Sequence, residues 1–121
     1  MNYRMLLLCS LLLLGACEPM AEDKQPAYAG NAERGRELTH HFGCGSCHRI
    51  PRVPGAYGQV GPSLEHIARR GYIAGLLPNL EAQMVRWLQS PQAVDPHTAM
   101  PDLGLSAEQA RDIAAFLHEL E

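Results

Sequence analysis

Two thiols and an imidazole fall together at Cys44-Gly45-Ser46-Cys47-His48, and four chemistries use such a set. A redox-active C-x-x-C pair sits between a strand and a helix. Here a helical stretch precedes the pair and Arg49-Ile50-Pro51 follows it, which argues against that use. Zinc would want a second ligand pair, and His40, His41 and His66 lack a metal-site spacing. A disulfide across two residues closes too small a loop to staple anything. The fourth chemistry is covalent attachment of haem. Two intervening residues let both sulfurs reach the two vinyl groups of one porphyrin, and the adjacent imidazole can turn to its iron. The C-x-x-C-H spacing favours haem, which also supplies the core that so short a chain lacks.

The elements that must position these groups read as helices and long loops. Asn31 is placed to N-cap a helix from Ala32 to about His41, closed by Phe42-Gly43. Gly35 inside it costs about 1 kcal/mol against alanine and predicts a close crossing with another element. Prolines and glycines punctuate Ile50 to Pro62, a loop. Ser63 to Arg70 reads as a short helix. Asn79 is expected to cap a second, Leu80 to Gln89, with Leu80, Met84, Trp87 and Leu88 on one face and Ser90-Pro91 as its stop. Val94 to Gly104 is again loop. Ser106 and Gln109 have the capping-box spacing, and Ala110, Ile113, Ala114 and Leu117 follow the helical period. Val and Ile together number eight while Leu and Ala abound, so the expected class is all-α. Loops this long in a small domain usually wrap something.

On these residues the chain resembles the monohaem class I cytochromes c from about Gly30 to Leu120. The resemblance implies helices and long loops wrapped around one covalently bound haem c, held through Cys44 and Cys47 with His48 on the iron. It implies that Gly35 and Leu38 meet Ile113 and Phe116 of the last helix; Thr39 stands where many members carry an aromatic. Gly61-Pro62-Ser63-Leu64 matches the segment whose proline carbonyl accepts the Nδ1 proton of the haem histidine. Met100, in Thr98-Ala99-Met100-Pro101, matches the loop methionine that supplies the second axial ligand. Met84, Met20, His66 and His97 are the other residues able to ligate. Within the class, the chain is most similar to the cytochrome c domains fused to subunit II of some haem-copper oxidases. That similarity rests on Arg69-Arg70, Gly75-Leu76-Leu77-Pro78-Asn79, Arg86-Trp87-Leu88, Ser90-Pro91-Gln92 and Met100-Pro101-Asp102-Leu103-Gly104. It implies Arg69, Arg70, Tyr72 and Trp87 as partners of the haem propionates, which need donors or cations near a low-dielectric pocket.

The whole chain is 121 residues with a formal net charge of −3. That is one small domain, and without a basic cluster it offers nucleic acid nothing to hold. Twelve hydrophobic residues crowd the first 16 positions. The run from Met5 to Leu14 covers roughly 15 Å as a helix, about half a bilayer core, and reads as an export signal. Leu14-Gly15-Ala16-Cys17 resembles a bacterial lipobox, making Cys17 the expected lipidated mature N-terminus. Residues 17–29 are then a polar, Pro-containing tether, and 30–121 the folded domain.

These readings converge on an expectation. The protein is an exported lipoprotein, held on a membrane facing the periplasm or cell exterior. It is not an enzyme, and passes single electrons from a quinol-oxidising complex toward a terminal oxidase. The alternatives are a haem enzyme or gas sensor with a labile sixth ligand, and a fixed cytochrome subunit of a larger oxidoreductase.

Overall fold

A computed structural model describes residues 27–121; the expected signal peptide, Cys17 and most of the tether lie outside them. Among the described residues the elements are four α-helices, two short 3₁₀ turns and one minute hairpin: α1 (Ala32–His41), the turn Cys44–Ser46, the turn Ile67–Arg69, β1 (Tyr72–Ile73), β2 (Leu77–Pro78), α2 (Glu81–Gln89), α3 (Pro91–Val94) and α4 (Ala107–His118). The class is all-α, and among the described residues the only sheet is the antiparallel pair β1–β2, with Tyr72 opposite Pro78 and Ile73 opposite Leu77. Among the described residues no helix is long and apolar enough to cross a membrane.

Helix α1 starts where Asn31 accepts from the Arg34 N–H at 2.9 Å and ends at Gly43, whose φ of 72° suits glycine. Helix α4 starts on a complete capping box between Ser106 and Gln109. Its inner face, Ala110, Ile113, Ala114, Phe116 and Leu117, is buried. The two helices touch backbone to backbone at Gly35. A methyl group there would overlap the Asp112 carbonyl and lie 2.9 Å from the Ile113 nitrogen. Thr39, one turn on, is buried and donates its hydroxyl to the Gly35 carbonyl at 2.7 Å. The crossing expected from Gly35 is thus an actual contact, and a small Thr39 fills its inner side.

An ion-paired latch closes the outer side. Asp112, 2% exposed, accepts from the Asn31 N–H at 2.8 Å and from Arg34 Nε. Burial alone would raise its carboxyl, but these hydrogen bonds outweigh burial and hold it below the usual carboxylate range. The strap leading into α1 is docked too. Tyr28 stacks on His118 with ring centroids 4.1 Å apart, and the Ala29 N–H donates to Glu81 at 3.0 Å. These two residues, assigned to the tether on composition, belong to the domain, because an aromatic ring and a carboxylate await them there.

Three local expectations are corrected. Ser63 to Arg70 is not a helix beyond the single turn Ile67–Arg69, since His66 takes a left-handed φ of 58°. Asn79 does not cap α2. Its buried amide instead donates to the Ile67 and Arg70 carbonyls, at 2.8 and 2.9 Å, tying that turn to the hairpin. Leu80 therefore stands at the N-cap in extended conformation and is 54% exposed, outside the helical register that buries Met84 and Leu88. Ser90-Pro91 does stop α2, and Pro91 then opens the short α3, its fixed φ suiting a first helical position.

Candidate functional site

The end of α1 delivers the C-x-x-C-H segment. Left-handed Gly43 turns the chain, and Cys44–Ser46 forms one 3₁₀ turn, with the Cys47 and His48 N–H groups both donating to the Cys44 carbonyl. The loop Ala56–Gly61 clasps this turn from behind. The Gly58 N–H donates to the Gly45 carbonyl at 3.0 Å, and the Gly61 N–H to the Cys47 carbonyl at 2.7 Å. Glycine is needed at both contacts. A methyl on Gly58 would stand 2.6 Å from the Ser46 carbonyl oxygen, and one on Gly61 would lie 2.7 Å from His48 Nδ1 and 3.0 Å from Nε2. Gly61 therefore packs directly on the imidazole, a contact that the sequence reading did not single out. The Gly-Pro step beside the histidine was its one signal.

The imidazole is also oriented by hydrogen bonding. His48 Nδ1 lies 2.7 Å from the Pro62 carbonyl oxygen, which can only accept, so Nδ1 carries the proton and Nε2 is left bare for a metal. Cys44 and Cys47 are not joined in a disulfide, and burial pushes the Cys44 thiol above its usual range. Cys44, Cys47 and His48 line one cavity of about 390 Å³. Every α-helix but α3 supplies wall to it: Thr39 from α1, Met84, Trp87 and Leu88 from α2, Ile113 and Leu117 from α4. The rest comes from the loops, including Pro62, Tyr72 and Met100.

The expected site residues are thus placed unequally. Cys44, Cys47, His48, Pro62, Arg70, Tyr72, Trp87 and Met100 share the cavity wall, whereas Arg69 is not on it. Arg69 closes the 3₁₀ turn as an exposed side chain, while Arg70, the next residue, donates to the Ser63 carbonyl at the cavity. Of the other residues able to ligate, Met84 is on the wall and His66 and His97 are not; Met20 is outside the described residues. Asp95 and Leu103 also reach the wall, unforeseen because they sit in a stretch without periodicity.

The donor set fits haem. A mostly apolar cavity with two thiols and an imidazole oriented through Nδ1 on its wall suits a large flat macrocycle bearing vinyl groups and iron. Among the described residues no group of three or more His, Cys, Asp or Glu is placed to hold a metal ion. A helix, not a strand, leads into the cysteine pair, unlike a dithiol oxidoreductase.

Comparison with known proteins agrees. The cytochrome c family model matches residues 32–121. Cytochrome c-552 of Bradyrhizobium diazoefficiens is 30% identical over 112 residues, covering 91% of this chain and 96% of that protein. Cytochrome c oxidase subunit 2 of Alkalihalophilus pseudofirmus is 29% identical over 91 residues, covering 74% of this chain. The chain spans only 26% of that subunit's length. With a family match from residue 32 to 121 and a cavity lined by Cys44, Cys47 and His48, the chain belongs to the cytochrome c family, as a class I member that binds one covalent haem c and transfers electrons.

Proposed function

We propose that the protein is a lipid-anchored electron carrier of a respiratory chain, not an enzyme, taking electrons from a quinol-oxidising complex and delivering them to a terminal oxidase. The observation that carries this reading is the wall shared by His48 and Met100. His48 through its imidazole and Met100 through its thioether would hold the haem iron in this cavity. When bound, haem supplies a one-electron iron couple, with thioether ligation favouring the reduced state more than a second imidazole would. The chain's residues do the rest. Pro62 accepts from Nδ1 of His48 and so directs Nε2 toward the iron, and Gly61, without a side chain, leaves the ring the space it occupies. Arg70, Tyr72 and Trp87, on the same wall, would donate to the propionates. Arg69, off the wall, would contribute only at longer range. Cys17 carries the lipid in this reading, holding the domain at the periplasmic or exterior membrane surface.

Met100→Ala tests the ligand assignment. The wild type should show the ferric sulfur-to-iron charge-transfer band in the near infrared and no rapid CO binding when reduced. The variant should lose the band and bind CO at once. A wild type without the band that binds CO immediately would instead indicate a haem enzyme or gas sensor. Cys17→Ser should move the protein to the soluble exported fraction. The similarity to an oxidase subunit supports a second reading, a fixed subunit of a larger complex, which stable co-purification after detergent extraction would favour.

A further inference from the structure

Met100 reaches the cavity wall from a stretch with almost no backbone framework of its own. Among the described residues, no backbone-to-backbone hydrogen bond involves any residue from Ala99 to Leu105. Side chains hold this stretch instead. The Met100 N–H donates to Thr98 Oγ1 at 3.2 Å, and the Met100 carbonyl accepts from Gln92 Nε2 at 2.7 Å. Further on, the Gly104 N–H donates to Asp102 at 2.8 Å, and Gln89 Nε2 donates to the Leu105 carbonyl at 3.3 Å. The Thr98 and Asp102 bonds each link residues two apart, so they shape the loop without fixing where it lies. Of the four, only the bond from Gln92 ties Met100 itself to another element, α3.

Helix α3 is well placed to serve as a post. Its first residue, Pro91, is fully buried and anchors it in the core. The Asp95 N–H closes it on the Pro91 carbonyl at 2.8 Å, and the Thr98 N–H then donates to the Asp95 carbonyl at 3.1 Å. These two turns fold the chain back until the Met100 carbonyl lies against Gln92. The Gln92 side chain is exposed and off the cavity wall, so it neither packs in the core nor touches a group bound in the cavity. Its amide holds one carbonyl, that of the residue whose thioether is on the wall.

We propose that Gln92 is a positioning residue for Met100: by fixing the Met100 carbonyl to α3 it keeps the thioether in the cavity and closes the iron's sixth position to small ligands from solution. The proposal rests on the reading of Met100 as an axial ligand and names the residue that makes that ligation persist. A thioether is neutral and favours the reduced iron over the oxidised one, so in the oxidised protein its hold depends on how seldom the loop lets it swing away. Partners that orient a ligand without touching the metal act on such an equilibrium directly. One neutral hydrogen bond shifts it about three- to tenfold.

The test uses the full-length ferric holo-protein with imidazole as the competing ligand, its affinity read from the shift of the Soret band. Gln92→Ala should bind imidazole about three- to tenfold more tightly than the wild type. Its near-infrared sulfur-to-iron band should disappear at a lower guanidinium concentration, while the unfolding midpoint by far-UV circular dichroism stays where it is. Gln92→Arg supplies a donor of longer reach that cannot itself ligate, and should restore the wild-type affinity. Gln89→Ala frees the same loop at Leu105, away from the ligand, and should leave the affinity unchanged. A Gln92→Ala protein that binds imidazole like the wild type overturns the proposal, as does a Gln92→Arg protein that behaves like Gln92→Ala, or an equal rise in Gln89→Ala. Met100→Ala separates the two failures. If it loses the band and gains imidazole affinity while Gln92→Ala matches the wild type, Met100 ligates and the positioning role falls. If Met100→Ala binds imidazole no more tightly than the wild type, the ligand assignment falls and the proposal with it.

Discussion

Gly35→Ala sets two effects of opposite sign against each other. Inside a helix, alanine is favoured over glycine by about 1 kcal/mol, so propensity alone predicts a stabler protein. At this position the added methyl meets the Asp112 carbonyl and the Ile113 nitrogen, both backbone of α4, and no side-chain rotation relieves it. The helices must part by roughly 1 Å, and a gap of that size forfeits about a quarter to a half of each dispersion contact across it. Thr39, Ile113 and Phe116, at most 1% exposed, carry that loss. At about 2–3 kcal/mol for each large buried side chain, it comes to roughly 2–4 kcal/mol. After the propensity gain, the expected destabilisation is about 2 kcal/mol, or roughly 8–16 °C in melting temperature for a domain of this size. Guanidinium titration of the holo-protein, followed by far-UV circular dichroism, measures it. Gly71→Ala is the control: its methyl meets nothing within 4 Å, and it should be neutral or slightly stabilising. A Gly35→Ala protein as stable as the wild type would refute the backbone contact.

Asp112→Asn should cost about 1–3 kcal/mol at neutral pH by weakening the hydrogen bonds that Asn31 and Arg34 make to this buried carboxylate. The native carboxyl titrates below its unfolded value, so its stabilisation is complete above the ordinary carboxylate range and vanishes as pH falls through the native pKa. The gap between wild type and variant in acid titrations should close in that direction; a constant gap would contradict the latch. Asn79→Ala leaves the Ile67 and Arg70 carbonyls without their donor and should cost a similar amount, about 1–3 kcal/mol, read by the same titration. Gly61→Ala should lower haem content per protein, measured by the pyridine haemochrome, because its methyl occupies space that the His48 ring needs. Full loading with an unshifted reduction potential would show that the ring is free to move.

Much of this was legible locally. The attachment segment is five consecutive residues, and its spacing speaks for itself. Both long helices declared their ends, through Asn31 with Gly43 and through Ser106 with Gln109, because capping satisfies backbone groups within one turn. Gly35 announced a crossing because a helix tolerates glycine poorly without a reason. Asn79 misled for a related cause. An asparagine before a helix is a fair N-cap by local rules, but two carbonyls of a distant turn compete for the same amide. His66 broke an expected helix by adopting a backbone conformation that its own residue type does not announce.

The sequence by itself determined the cofactor, the all-α class and where the two long helices start, since each follows from residues a few positions apart. Only the tertiary structure decided which residues share the cavity wall: Met100 and Arg70 on it, Arg69 off it, Gly61 on the imidazole, Tyr28 on His118. Those outcomes depend on where segments dozens of residues apart come to rest. That placement is settled by close packing of the whole chain, to which no short stretch holds the key.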